Sequence, residues 1–194
     1  MKICVSSYSF GTYQETLGIM GVIEKTKEMG FDAIEFSEAK WMEDFNPEVA
    51  KALRAKCEEL GLEIASLCIG ADFINKYSDE EKAHYYKAVD FAAILGAPNM
   101  RHDITSGIKG KKVGIGYDNA IDIVVPRIRE LADYAEAKGV GTMTENHGLF
   151  SQDAERVEKL INTVNHENFG ALVDIGNFMC ADEDPWKSVG ILAP

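Results

Sequence analysis

An α/β fold of repeated strand–helix units, a (β/α) barrel, is what the sequence predicts. Three observations point to it. One phrase recurs, an amphipathic helix that ends in Gly and is followed by a short apolar strand: KEMG-FDAIEF, CEELG-LEIASLCIG, AAILG-APNMRH and AEAKG-VGTMTE. Strands alternate with helices along the chain, the pattern of parallel β-α-β units with right-handed crossovers. Polar or ionisable residues stand at the carboxyl end of most strands, where a barrel builds its site. An open doubly wound sheet is the alternative, and it often announces a nucleotide site by G-x-G-x-x-G after its first strand. Here the first strand runs into SSYSFGTYQET, which lacks that pattern.

Taken in order, strands are expected near 2–6, 32–36, 62–68, 97–101, 140–145 and 169–174. Gly30, Gly61, Gly96 and Gly139 sit where a left-handed helix cap is expected, a conformation that glycine adopts without steric cost. Asn46-Pro47 opens one helix, with Pro in the first turn. Ser78 followed by Glu81 forms a capping box for the next. The helix within 119–138 carries Ile121, Val124, Ile128, Leu131 and Ala135 on one face. Pro126 lies inside it, so the helix is kinked or begins nearer the proline. Ser151 is the expected cap of a helix whose inner face is Ala154, Val157, Leu160, Ile161 and Val164. A short helix fits 185–192.

The chain has 194 residues, enough for one domain with a real core, and its 46% hydrophobic content is ordinary for a globular protein. A net charge of −12 repels a phosphate backbone, which argues against nucleic acid. No apolar run reaches the ~18–20 residues of a membrane helix. The N-terminus lacks the features of a signal peptide and reads as a strand. Cys4, Cys57, Cys68 and Cys180 are widely spaced, without a C-x-x-C pair. A cytoplasmic protein with reduced thiols is expected.

The expected strand ends include Glu35-Phe36-Ser37-Glu38, Cys68-Ile69-Gly70, Arg101-His102-Asp103, Glu145-Asn146-His147 and Asp174-Ile175-Gly176-Asn177. Glu145 and Asp174 end consecutive strands and are therefore neighbours. Two like charges that close raise each other's pKa unless a cation lies between them. A divalent metal with oxygen ligands resolves the conflict; helix capping by each carboxylate is the plain alternative. His102 is a ligand, a substrate contact or a half-buried histidine bonded to a neighbour. His147 shares a strand face with Glu145 only if the strand continues that far. Asn177 falls in a turn that welcomes Asn for backbone reasons alone. The loop SGIKGKKVGIGYDN offers Lys109, Lys111 and Lys112 as a lid that meets an anionic substrate, or else forms a solvated connection.

GVGTMTENHG, followed by a helix and FGALVDIGN, resembles the xylose isomerase-like sugar (phosphate) isomerase and epimerase superfamily. The strand leading into SSYSF and the phrase EMGFDAIEFSE are similar to it as well. The resemblance implies a (β/α)8 TIM barrel with a divalent metal, Mn, Mg, Co or Zn, at its carboxyl rim. The ligands it implies are a Glu, an Asp, a His and a Glu ending strands five to eight. Glu145 and Asp174 match the first two, and Glu145 is then also the base that moves a proton beside the substrate carbonyl. His102, Asn146, His147 and Asn177 would bind the substrate, a sugar, sugar phosphate or related polyol. Several relatives place a His three residues after the Asp, where this chain has Asn177.

Past Asn177 the sequence runs FMCADEDPWKSVGILAP, leaving nothing for strands seven and eight. The expectation is a single domain over 1–194 that is truncated after about six β/α units. The natural chain would continue to supply the missing His and Glu. Exposed sheet edges invite association, so a homo-oligomer is open. Two other readings remain. The apurinic-endonuclease branch would make the chain a metal-dependent phosphodiesterase, which needs more rim histidines than His84, His102, His147 and His166. A barrel-derived binding protein would be non-catalytic and metal-free.

Overall fold

The computed structural model describes residues 1–108 and 116–193. Six strands alternate with six helices: β1 (Cys4–Ser6), α1 (Tyr13–Glu28), β2 (Ala33–Ser37), α2 (Pro47–Leu60), β3 (Glu63–Ile69), α3 (Asp79–Leu95), β4 (Asn99–His102), α4 (Tyr117–Glu136), β5 (Gly141–Glu145), α5 (Ala154–Val164), β6 (Phe169–Leu172) and α6 (Pro185–Leu192). The strands take the sheet order β1-β2-β3-β4-β5-β6. Each of the six falls within three residues of its expected ends, and α6 coincides with the short helix expected over 185–192.

The chain divides into two compact units. One comprises Met1–Ile69, Lys87–Met100 and Lys138–Val140, the other Gly70–Tyr86, Arg101–Ala137 and Gly141–Pro194. In the first, β1, β2 and β3 pair in parallel, with a register shift in β2 between Ile34 and Glu35. Its core holds Val22, Ile23, Ile34, Phe36, Leu53, Cys57 and Leu67, all fully buried. Each large apolar side chain so buried contributes about 1.5–3 kcal/mol. α1 is interrupted at Gly18, whose backbone lies at φ 65° and ψ 167°, far from helical values. α2 starts as expected: Asn46 accepts a hydrogen bond from the Glu48 N–H at 3.0 Å, and Pro47 occupies the first turn. It ends at Gly61, left-handed at φ 59°.

In the second unit β5 and β6 pair in parallel, Thr142 opposite Phe169 and Glu145 opposite Leu172. α4 runs unbroken through Pro126, and its predicted face of Ile121, Val124, Ile128, Leu131 and Ala135 is buried. The Ser78 hydroxyl accepts from the Glu81 N–H at 3.2 Å at the start of α3. The cap of α5 differs from expectation. Asp153, not Ser151, accepts the Arg156 N–H at 3.0 Å. Ser151 instead pairs with His147 in an isolated antiparallel bridge, which shortens the helix by two residues. The four cysteines are free thiols, Cys57 and Cys68 buried, Cys4 and Cys180 exposed. No helix among the described residues is long and apolar enough to cross a membrane.

Candidate active site

The second unit gathers its chemistry where β4, β5 and β6 end. β5 stops at Glu145. The His147 N–H closes back on the Glu145 carbonyl at 2.8 Å, so the chain turns there. Gly148 completes the turn at φ 74°, a left-handed conformation in which a side chain would be strained. His147 therefore does not continue the strand face of Glu145, and its side chain is about half exposed, at 52%.

Both oxygens of Glu145 are engaged. Oε1 accepts from Asn177 Nδ2 at 3.1 Å. Oε2 lies 2.5 Å from Nη2 of Arg101. That same Nη2 is 3.0 Å from Oδ1 of Asp103, which also meets His147 Nδ1 at 3.1 Å. The Arg101 side chain is only 11% exposed and that of Glu145 15%. Such pairing is what makes so enclosed an arginine tolerable, because an uncompensated buried charge is very costly. Arg101 and Asp103 were not singled out from the sequence as functional. The available signal was an arginine inside a short strand, a residue type rarely enclosed without a partner.

Asp174 follows β6. Its Oδ1 accepts the N–H groups of Gly176 and Asn177 at 2.7 and 3.0 Å, so this carboxylate does cap the next turn. Its Oδ2 has no hydrogen-bond partner among the described residues. Asn146 joins the two strand ends. Its Nδ2 donates to the Asp174 carbonyl at 2.8 Å, and its Oδ1 accepts from the Asp174 N–H at 2.7 Å.

Two of the expected substrate contacts, Asn146 and His102, lie buried. Asn146 is fully buried, with its amide spent on the Asp174 backbone. His102 is also fully buried, near Phe73 at 5.2 Å between ring centroids and stacked on Phe169 at 5.8 Å. Successive strand residues face opposite ways, so the neighbour of a rim-facing Arg101 points into the core. His102 Nδ1 lies 3.1 Å from the Asp103 carbonyl, and Nε2 has no partner among the described residues. Burial pushes its pKa down to about 4. Lys109, Lys111 and Lys112, the expected lid, lie outside the described residues. The loops after β4 and β5 also line a pocket of about 350 Å³ with Ser106, Gly107, Leu149 and Phe150, joined by Tyr117 and Arg156.

Glu145 and Asp174 suit a hard divalent ion in kind, being oxygen donors from adjacent strands with Oδ2 of Asp174 open. In number they are two. Among the described residues no trio of His, Cys, Asp or Glu ligand atoms includes either of them. The trio that occurs is Asp133, Glu136 and His166. There His166 is already satisfied, with Nε2 on Asp133 and Nδ1 accepting the Asn168 N–H.

No curated protein matches the sequence. Among solved structures, the chain is similar to D-psicose 3-epimerase in the presence of D-fructose, at 16% identity and a TM-score of 0.82 over 100% of this chain and 70% of that one. It is similar to the probable 3-DHS dehydratase AsbF from Bacillus anthracis, involved in petrobactin synthesis, at 20% identity and a TM-score of 0.77 over 100% and 70%. A third is the IOLI protein with a bound zinc atom, at 17% identity and a TM-score of 0.73 over 97% and 68%. A further match is covered over 63% of its length. At these identities the likeness establishes the fold alone. The family model of the xylose isomerase-like TIM barrel matches residues 23–193, nearly the whole chain. With six parallel strands in barrel order, the chain belongs to the xylose isomerase-like TIM barrel family.

Proposed function

We propose that the chain serves a divalent-metal-dependent isomerase or epimerase that moves a proton beside the carbonyl of a sugar, sugar phosphate or related polyol. The observation behind this reading is the Glu145 carboxylate at the end of β5, fixed at one oxygen by Asn177 and the other by Arg101, with Asp174 on the adjacent strand. The likeness to an epimerase and to a zinc-bound protein supports it.

Glu145 and Asp174 would hold the ion, which when bound supplies polarisation of the substrate carbonyl. The protein's own residues do the rest. Glu145 takes the proton from the carbon next to the carbonyl. Asn177 Nδ2 sets the plane of that carboxylate, which matters because proton transfer needs the acceptor within hydrogen-bond reach. Asn146 ties the ends of β5 and β6 so that both carboxylates keep their spacing. His147, half exposed beside Asp103, would meet substrate hydroxyls. Isotope exchange tests the reading. With Mn²⁺ and a panel of ketoses and their phosphates in deuterated water, deuterium is expected at the carbon next to the carbonyl, and its loss is expected in Glu145→Gln. Absence of exchange with every sugar, in wild type and variant alike, refutes it.

A further inference from the structure

We propose that Arg101 stands in for the divalent cation at Glu145, and that an ion entering the site must displace it. The inference rests on the metal-dependent reading above and gives Arg101 a part in ion binding that this reading does not assign. Asp103 and Glu145 follow or end β4 and β5, and one guanidinium nitrogen of Arg101 reaches both carboxylates. Its Nη2 sits 2.5 Å from Glu145 Oε2, close to where a ligated ion would lie, about 2.0–2.6 Å from a carboxylate oxygen. Two cations cannot share that position without strong repulsion. A guanidinium stays charged at any pH that a protein survives, so it can leave only by moving.

The structure provides somewhere for it to go. The same nitrogen already bonds Asp103 Oδ1 at 3.0 Å, with His147 Nδ1 3.5 Å away. A rotation that releases Glu145 can keep the Asp103 pair intact. Asn177 stays on Oε1 meanwhile, so the carboxylate keeps its orientation while its cationic partner changes. Asp103 is thus the anchor that receives Arg101, and Arg101 is a positioning residue whose affinity for Glu145 competes with the metal.

Opposite effects of two substitutions test this, read as Mn²⁺ affinity by calorimetry and by the paramagnetic signal of free Mn²⁺, without any turnover. Arg101→Gln removes the competitor and is expected to tighten Mn²⁺ binding by about tenfold. Asp103→Asn removes the anchor, leaves Arg101 committed to Glu145, and is expected to weaken it. An arginine that merely organised the site would make both variants weaker, so equal or weaker binding by Arg101→Gln overturns the proposal. Circular dichroism confirms folding, and if Arg101→Gln fails to fold, Asp103→Asn decides: unchanged or tighter binding overturns. Glu145→Gln separates the two levels. If it abolishes Mn²⁺ binding while Arg101→Gln leaves affinity unchanged, only the role of Arg101 fails. If it leaves Mn²⁺ binding untouched, or if wild type and Arg101→Gln both fail to bind, the metal-dependent reading fails as well.

Discussion

Replacing His102 by Phe should flatten the acid side of the stability curve. The imidazole is fully buried between Phe73 and Phe169, and its Nε2 has no partner among the described residues, so protonation would bury a poorly compensated charge. Its pKa falls from 6.5 to about 4, mainly through burial. A depressed pKa means that the unfolded chain takes up the proton first. The neutral ring's contribution is therefore complete above about pH 6.5 and is lost as the pH falls toward 4. The 2.5-unit difference between those two values, at about 1.36 kcal/mol per unit, sets a ceiling of about 3 kcal/mol. Between about pH 7 and pH 5 the linkage relation gives a loss of about 2 kcal/mol from this residue alone. The carboxylates titrate in wild type and variant alike, so the difference between the two curves isolates His102. Urea unfolding followed by circular dichroism at several pH values over that range measures it. Wild type should lose about 2 kcal/mol more than His102→Phe. If the two curves fall in parallel, His102 is either solvated or already protonated in the folded state, and the reasoning fails.

Asn146→Ala removes both hydrogen bonds to the part-buried Asp174 backbone, and at about 0.5–1.5 kcal/mol per net hydrogen bond it should lower urea-measured stability by about 1–3 kcal/mol. Asn46→Ala removes the side-chain cap of α2 and should cost about 1 kcal/mol, read as a lower melting temperature. Asp153→Ala should cost about the same at α5, whereas Ser151→Ala should leave that cap intact, and comparing their melting curves checks which residue begins the helix.

The two acidic strand ends were legible in outline. Glu145 and Asp174 could be placed on neighbouring strand ends because the strand–helix rhythm and the glycine caps are local features, written within a few residues of where they act. The cap of α5 was misplaced by two positions. Ser151 and Asp153 are both good caps in sequence, and the bridge from Ser151 to His147 that decides between them is a contact outside the helix.

Sequence by itself determined the alternation of elements, the face that α4 buries, that of α5 apart from the half-buried Ile161, and the two acidic strand ends. Tertiary structure alone decided what those acids touch. Asn146 spends its amide on a backbone 28 residues away, a bond that joins the ends of β5 and β6. Arg101 turns toward Glu145 while its neighbour His102 turns inward, because the pleat of β4 sends them to opposite faces. Residue type and spacing say which groups can form a hydrogen bond or an ion pair. Which of them do so depends on strand neighbours and side-chain direction, and these exist only once the sheet has assembled.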